Sequence, residues 1–111
     1  MKGPVSLGEF EQIVLLAILR LDEDAYGVTI RSEIAACVGR RVAPGALYTT
    51  LDRMHEKGLV RSRIGEATAQ RGGRAKRYFT LTARGRAALV QGQLAYKKLL
   101  DGLDLLGGMN V

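Results

Sequence analysis

The sequence predicts a mainly α-helical chain carrying one small β-hairpin, and three observations support this. Apolar residues recur at helical spacing in four stretches of the 111 residues. Between the third and fourth stretches the period changes to alternation, in two short runs separated by a polar, Gly-rich segment. Residues that start or stop helices stand where those periods change, notably Pro44, Gly58 and Thr82. A hydrophobic content of 47% in a chain of this length fits one domain with a modest core.

Ser6-Leu7-Gly8-Glu9 has the capping-box pattern, so a first helix is expected to begin there. Phe10, Ile13, Val14, Leu16, Ala17, Ile18 and Leu21 follow on a broad apolar face, as in a central helix packed on more than one side. Asp22-Glu23-Asp24 interrupts that face and offers Asp24 as an N-cap for the next helix. Helix two spans Tyr26 to about Val38, with Ile30, Ile34, Cys37 and Val38 on its buried side and Cys37 as a small core residue. Gly27 allows a close helix approach, and Tyr26 can bury its ring while keeping its hydroxyl for a partner.

A short Gly-containing connection, residues 39–43, leads to the best-marked helix, Pro44 to Lys57. Pro44 suits the first helical position and Gly58 the positive φ of a C-terminal stop. Leu47, Leu51 and Met54 form its apolar stripe; Thr49, Thr50, Arg53 and Lys57 are expected to point elsewhere, and Gly45 and Ala46 leave the first turn nearly bare. Two helices joined by such a turn make a helix-turn-helix candidate whose second helix is the reader.

The strands are Leu59–Ile64 and Lys76–Leu81, a hairpin whose long tip and returning strand carry Arg71, Arg74, Lys76 and Arg77 against Glu66. Thr82 is a good N-cap for a last helix from Ala83 to about Leu106. On it Leu89, Tyr96 and Leu103 recur every seven residues, with Gly92, Leu99 and Leu106 as the companion row and Leu100 alongside. This is a dimerisation stripe in miniature that also suits packing on helix one, and helix one is expected to join the interface. The domain organisation read here is a winged helix-turn-helix over residues 1–81 and a C-terminal dimerisation helix over residues 82–111.

A formal net charge of +6 favours a polyanionic partner, nucleic acid or an anionic membrane surface, and its concentration on the hairpin favours nucleic acid. No apolar run approaches the roughly 20 residues needed to span a bilayer, and no signal-peptide pattern opens the chain, so a cytoplasmic protein is expected. One cysteine and one histidine, Cys37 and His55, supply neither a disulfide framework nor a metal site nor a His-based catalytic group. No cofactor is expected, and an enzyme ranks last among the readings.

Tyr26-Gly27, Pro44-Gly45-Ala46-Leu47-Tyr48, the passage Leu51-Asp52-Arg53-Met54 to Gly58-Leu59-Val60, and Arg77-Tyr78-Phe79-Thr80-Leu81-Thr82-Ala83-Arg84-Gly85, in this order and spacing, resemble the PadR family of bacterial transcriptional regulators, in particular its smaller members with a short final helix. The resemblance runs from about Leu7 to Leu106. It implies a homodimer that binds a palindromic operator in double-stranded DNA, usually as a repressor. Members often carry Ser or Thr where this chain has Ala43, and some bind aromatic small-molecule effectors between aromatic side chains at the dimer interface; this chain has no Trp.

On that reading Pro44, Gly45, Ala46 and Thr49 lie closest to base edges, with Thr50 beside them, and Tyr48 offers its hydroxyl to a phosphate. Arg53, Arg71, Arg74, Lys76 and Arg77 are the phosphate or minor-groove candidates. Leu89, Tyr96, Leu99, Leu103 and Leu106 are the dimerisation residues. Two rival functions are a winged-helix module that binds protein rather than DNA, and binding of structured RNA through the Arg71-Gly72-Gly73-Arg74 loop.

Overall fold

A computed structural model describes residues 6–65 and 75–105. Four α-helices and one hairpin follow in the order α1 (Glu9–Leu21), α2 (Gly27–Val38), α3 (Pro44–Glu56), β1 (Val60–Ile64), β2 (Arg77–Leu81) and α4 (Ala83–Leu100), with a single 3-10 turn, Asp22–Asp24, between α1 and α2. The strands pair antiparallel with Val60 opposite Leu81 and Ile64 opposite Arg77.

Helix α1 is the expected central element: Val14, Leu15, Ala17 and Ile18 are buried, and the helix touches α2, α3, β2 and α4. Its N-cap is Gly8 rather than Ser6. The Gly8 N–H donates to Glu11 Oε1 at 2.9 Å, so the carboxylate three residues into the helix, not a hydroxyl before it, satisfies the start. Asp24 likewise does not cap α2. Tyr26 is the extended N-cap residue, and its N–H donates to Thr29 Oγ1 at 3.0 Å. Asp24 lies within the 3-10 turn instead.

Along α2 Ile30 and Ile34 are buried, but Cys37 and Val38 are exposed, contrary to expectation. The helix ends at Gly39 in the left-handed region, φ 67°, one turn past the last residue that reaches the core. Arg31 Nε then donates to the Val42 carbonyl at 2.7 Å, holding the connection to α3 against α2.

Helix α3 starts at Pro44 without a side-chain cap, as Ala43 dictates. It stops in a Schellman arrangement: the Gly58 N–H donates to the His55 carbonyl and the Leu59 N–H to the Met54 carbonyl, with Gly58 at φ 75°. The chain turns directly into β1, and Leu59, Val60 and Phe79 close the core under the hairpin. Phe79 N–H donates to the Ala25 carbonyl at 2.9 Å, and Tyr26 forms a single antiparallel bridge with Tyr78, so the α1–α2 connection serves as an extra edge for the hairpin.

Thr82 caps α4: its Oγ1 accepts the Gly85 N–H at 3.0 Å and donates to the Gly58 carbonyl at 2.6 Å. The helix ends at Leu100, short of the expected Leu106, because Asp101 leaves helical geometry and Gly102 takes φ 80°. Leu103 therefore lies beyond the helix, and Leu106 is outside the described residues.

A Cβ at Gly85 would overlap the Leu59 backbone carbonyl, which has nowhere to move, whereas a Cβ at Gly27 would meet only the outer end of the half-exposed Tyr48 ring. Gly85→Ala should lower unfolding free energy by about 1–3 kcal/mol, and Gly27→Ala by clearly less, as measured by urea denaturation.

Glu11 is buried and also accepts from Lys57 Nζ at 3.1 Å. Burial pushes its carboxyl up, but the Gly8 N–H, the Lys57 ammonium and the charge of Arg53 together outweigh this and hold it below its ordinary value of 4.5. A depressed carboxyl stabilises the fold above its unfolded value, and this contribution is lost as pH falls through the folded one. Glu11→Gln should therefore cost about 1 kcal/mol at neutral pH, and the gap from the parent should close on acidification below 4.5.

Candidate nucleic-acid interface

Helix α3 buries Leu47, Thr50, Leu51 and Met54 and exposes Pro44, Gly45, Ala46, Tyr48, Thr49 and Arg53. Thr50 is thus a correction to the expected outward set. It sits three residues after Leu47 and four before Met54, inside the apolar stripe, with 7% of its surface exposed. On the opposite side Gly45, Thr49, Asp52 and Glu56 share one outward line, so the N-terminal half of the exposed face is small and neutral while the C-terminal half carries carboxylates. Lys57 is not part of this face electrostatically, because its ammonium is committed to Glu11.

Tyr48 packs its ring and hydroxyl over Gly27, in the first turn of α2, where only a glycine leaves room. The two residues meet because the Gly39 turn folds α3 back across the start of α2.

The hairpin sets Arg77 against α3, while strand alternation places Lys76, Arg61 and Arg63 together on its other face. Arg77 Nη1 lies 3.1 Å from Asp52 Oδ1, and its guanidinium covers the Phe79 ring at 4.9 Å. Lys76 Nζ lies 4.4 Å from the Tyr26 ring centre and donates to the Tyr26 hydroxyl at 3.3 Å, so the partner expected for that hydroxyl is within the chain. Arg63 stacks on Tyr78 at 4.5 Å, and Tyr78 meets Tyr26 edge to face at 5.3 Å. Arg71 and Arg74 lie outside the described residues.

The expected set omitted three charged residues: Arg61 and Arg63, both exposed on β1 on the face of the hairpin opposite Arg77, and Asp52 on α3. Strand alternation already put the two arginines on one side; that Arg63 opposes Tyr78 required the register. Nothing local to Asp52 pointed to Arg77, 25 residues away.

The other functional surface is α4. Leu89 is buried in the chain's own core beside Ala88, against α1, and is not available to a partner, a correction to the expected seam. Tyr96, Leu99 and Leu103 are exposed, as are Leu16 of α1 and Val90, Leu94 and Leu100 of α4. Leu7, Gln12, Gly92, Tyr96 and Leu99 line a groove between α1 and α4.

The Cys37 thiol, also exposed, donates to Glu33 Oε2 at 3.2 Å; that bond and partial burial push it up, the opposite of an activated thiolate. Among the described residues no helix is long and apolar enough to cross a membrane.

Comparison with known proteins agrees with this geometry. The transcriptional regulator Rv3488 of Mycobacterium tuberculosis is 36% identical over 89 residues, covering 80% of this chain and 77% of that protein. A PadR family transcriptional regulator from Eggerthella lenta superposes with a TM-score of 0.64 at 25% identity over 92% of this chain and 88% of the other. At the level of fold alone, a PadR family transcription regulator from Clostridium difficile superposes with a TM-score of 0.67 at 22% identity, covering 89% and 99% of the two chains. The model of the PadR-like family of transcriptional regulators matches residues 15–91, and the chain belongs to that family.

Proposed function

We propose that this regulator binds a palindromic operator in double-stranded DNA as a homodimer and represses transcription from it in the cytoplasm. The observation that carries the reading is the 3.1 Å contact between Arg77 and Asp52, which sets the root of a basic hairpin against the exposed face of α3, within a turn of its bare N-terminal half. In this reading the segment before residue 82 is the DNA-binding unit. Pro44, Gly45, Ala46 and Thr49 enter the major groove, where an alanine and a threonine methyl meet thymine methyls. Neither makes the bidentate hydrogen bonds that discriminate bases most strongly, so shape and half-site spacing carry much of the specificity.

Arg53, Arg61 and Lys76 contact the phosphate backbone. The Tyr48 hydroxyl and the first turn of α2 share a further phosphate.

From residue 82 onward the chain is the dimerisation element. Support comes from the uncovered leucines: Leu99 is 74% exposed and Leu94 51%, on a helix whose second half touches little of its own domain. Leu16 adds α1 to the same apolar surface. A two-fold pair placing two α3 helices about 34 Å apart reads successive major grooves. An effector of the kind some relatives take would sit in the groove between α1 and α4, against Tyr96.

Binding of the chain to duplex DNA, followed by fluorescence anisotropy as salt is raised, tests the reading. Affinity should fall linearly on a logarithmic scale, and Arg53→Ala should flatten that slope by about 0.9 while weakening all sequences alike. A protein-binding module would bind no duplex, and an RNA-binding loop would prefer structured RNA in competition. Leu94→Glu with Leu99→Glu should give a monomer by analytical ultracentrifugation and remove the advantage of a palindrome over a single half-site, leaving the melting transition in place because neither side chain is in the core.

A further inference from the structure

Asp52 is an acidic residue in the middle of a surface meant for a polyanion. It stands seven residues after Gly45 and three after Thr49 on the outward line of α3, with 60% of its side chain exposed. Its one ion-pair partner among the described residues is Arg77, at the start of β2. That arginine is held twice, by the Asp52 carboxylate at 3.1 Å and by the face of Phe79 at 4.9 Å. An exposed pair of this kind adds little to stability, and Phe79 is buried in the core. The fold therefore does not require Asp52.

From this geometry we infer that Asp52 is a specificity-determining residue that withholds Arg77 from the DNA backbone. The inference rests on the DNA-binding reading above. A cation on a long side chain gives affinity for every sequence and selects none, because phosphates carry no base information. Pairing it with Asp52 removes one such contact from non-specific complexes. It also fixes the root of the hairpin beside α3, so that the wing and the reader helix approach DNA as one body.

Asp52→Asn keeps the shape of the side chain and removes its charge. Binding to a random-sequence duplex should tighten roughly three- to tenfold at low salt, and the logarithmic salt slope should steepen by about 0.9, the signature of one additional phosphate contact. Asp52→Glu should restore the parent slope. In an Arg77→Ala background, Asp52→Asn should leave the slope where Arg77→Ala alone sets it. The melting temperature should change little in Asp52→Asn, which separates this role from a structural one. The inference is overturned if Asp52→Asn leaves the random-duplex slope unchanged, or if the steepening persists without Arg77. A parent protein that binds no duplex at low salt overturns the DNA-binding reading and this inference together, whereas a parent that binds and a variant that does not differ from it sinks only the inference.

Discussion

The carbonyl of Leu59 is the point on which the arrangement turns. It accepts the Thr82 N–H at 3.0 Å and lies so close to Gly85 that no side chain fits there, while Thr82 also donates its hydroxyl to the neighbouring Gly58 carbonyl. Both carbonyls belong to the segment that ends α3, and both partners belong to the segment that starts α4. The C-terminal stop of one helix and the N-terminal cap of another are thus a single joint. Backbone groups at helix ends must find partners, and here each end supplies the other's. Because a backbone contact cannot re-pack as side chains do, the direction of α4 is fixed relative to α3. In the dimer proposed above, built through α4, the separation of the two α3 helices would follow from this joint.

Within the domain α3 is also anchored at its other end and along its length. Glu11 of α1 receives Lys57 at its C-terminus, Tyr48 closes on Gly27 of α2 near its start, and Leu47, Leu51 and Met54 occupy the core between them. Glu11 serves two tasks with one carboxylate, satisfying the start of α1 and neutralising the end of α3. These contacts leave the exposed start of α3 with little to hold, and a side chain at Gly45 would meet nothing within 4 Å.

Much of this was legible in the sequence because the signals were local. Pro44, Gly58 and Thr82 act within one turn of where they stand, and the change from helical to alternating period located the hairpin to within a residue at each strand. Depth was not legible in the same way. Cys37 and Val38 fall on the correct side of α2, but the helix outruns the core, and a period gives direction without saying where neighbours end. Thr50 fails in the opposite direction: its spacing to Leu47 and Met54 fits the stripe, but a small polar residue beside an apolar row is expected outside it, and packing buries it. Leu89 satisfied a seven-residue repeat equally well against the chain's own α1 or a partner, and only packing assigns it to the former.

The basic surface shows a further limit of reading charge from composition. A count of arginines and lysines on the hairpin treats each as free to meet a phosphate, yet Arg63 and Lys76 lie on tyrosine rings and Arg77 lies on Phe79 and against Asp52. A cation over an aromatic face keeps its charge and most of its donors, so it still attracts DNA while losing conformational freedom before binding. A cation paired with a carboxylate has its charge cancelled. Lys76 and Arg77 are adjacent in sequence and identical in formal charge, and they differ in what they can offer a polyanion because one neighbour is a phenol and the other an acid. On the proposed reading, the affinity of this surface for DNA is set by the pairing of its cations, and its net charge alone overstates it.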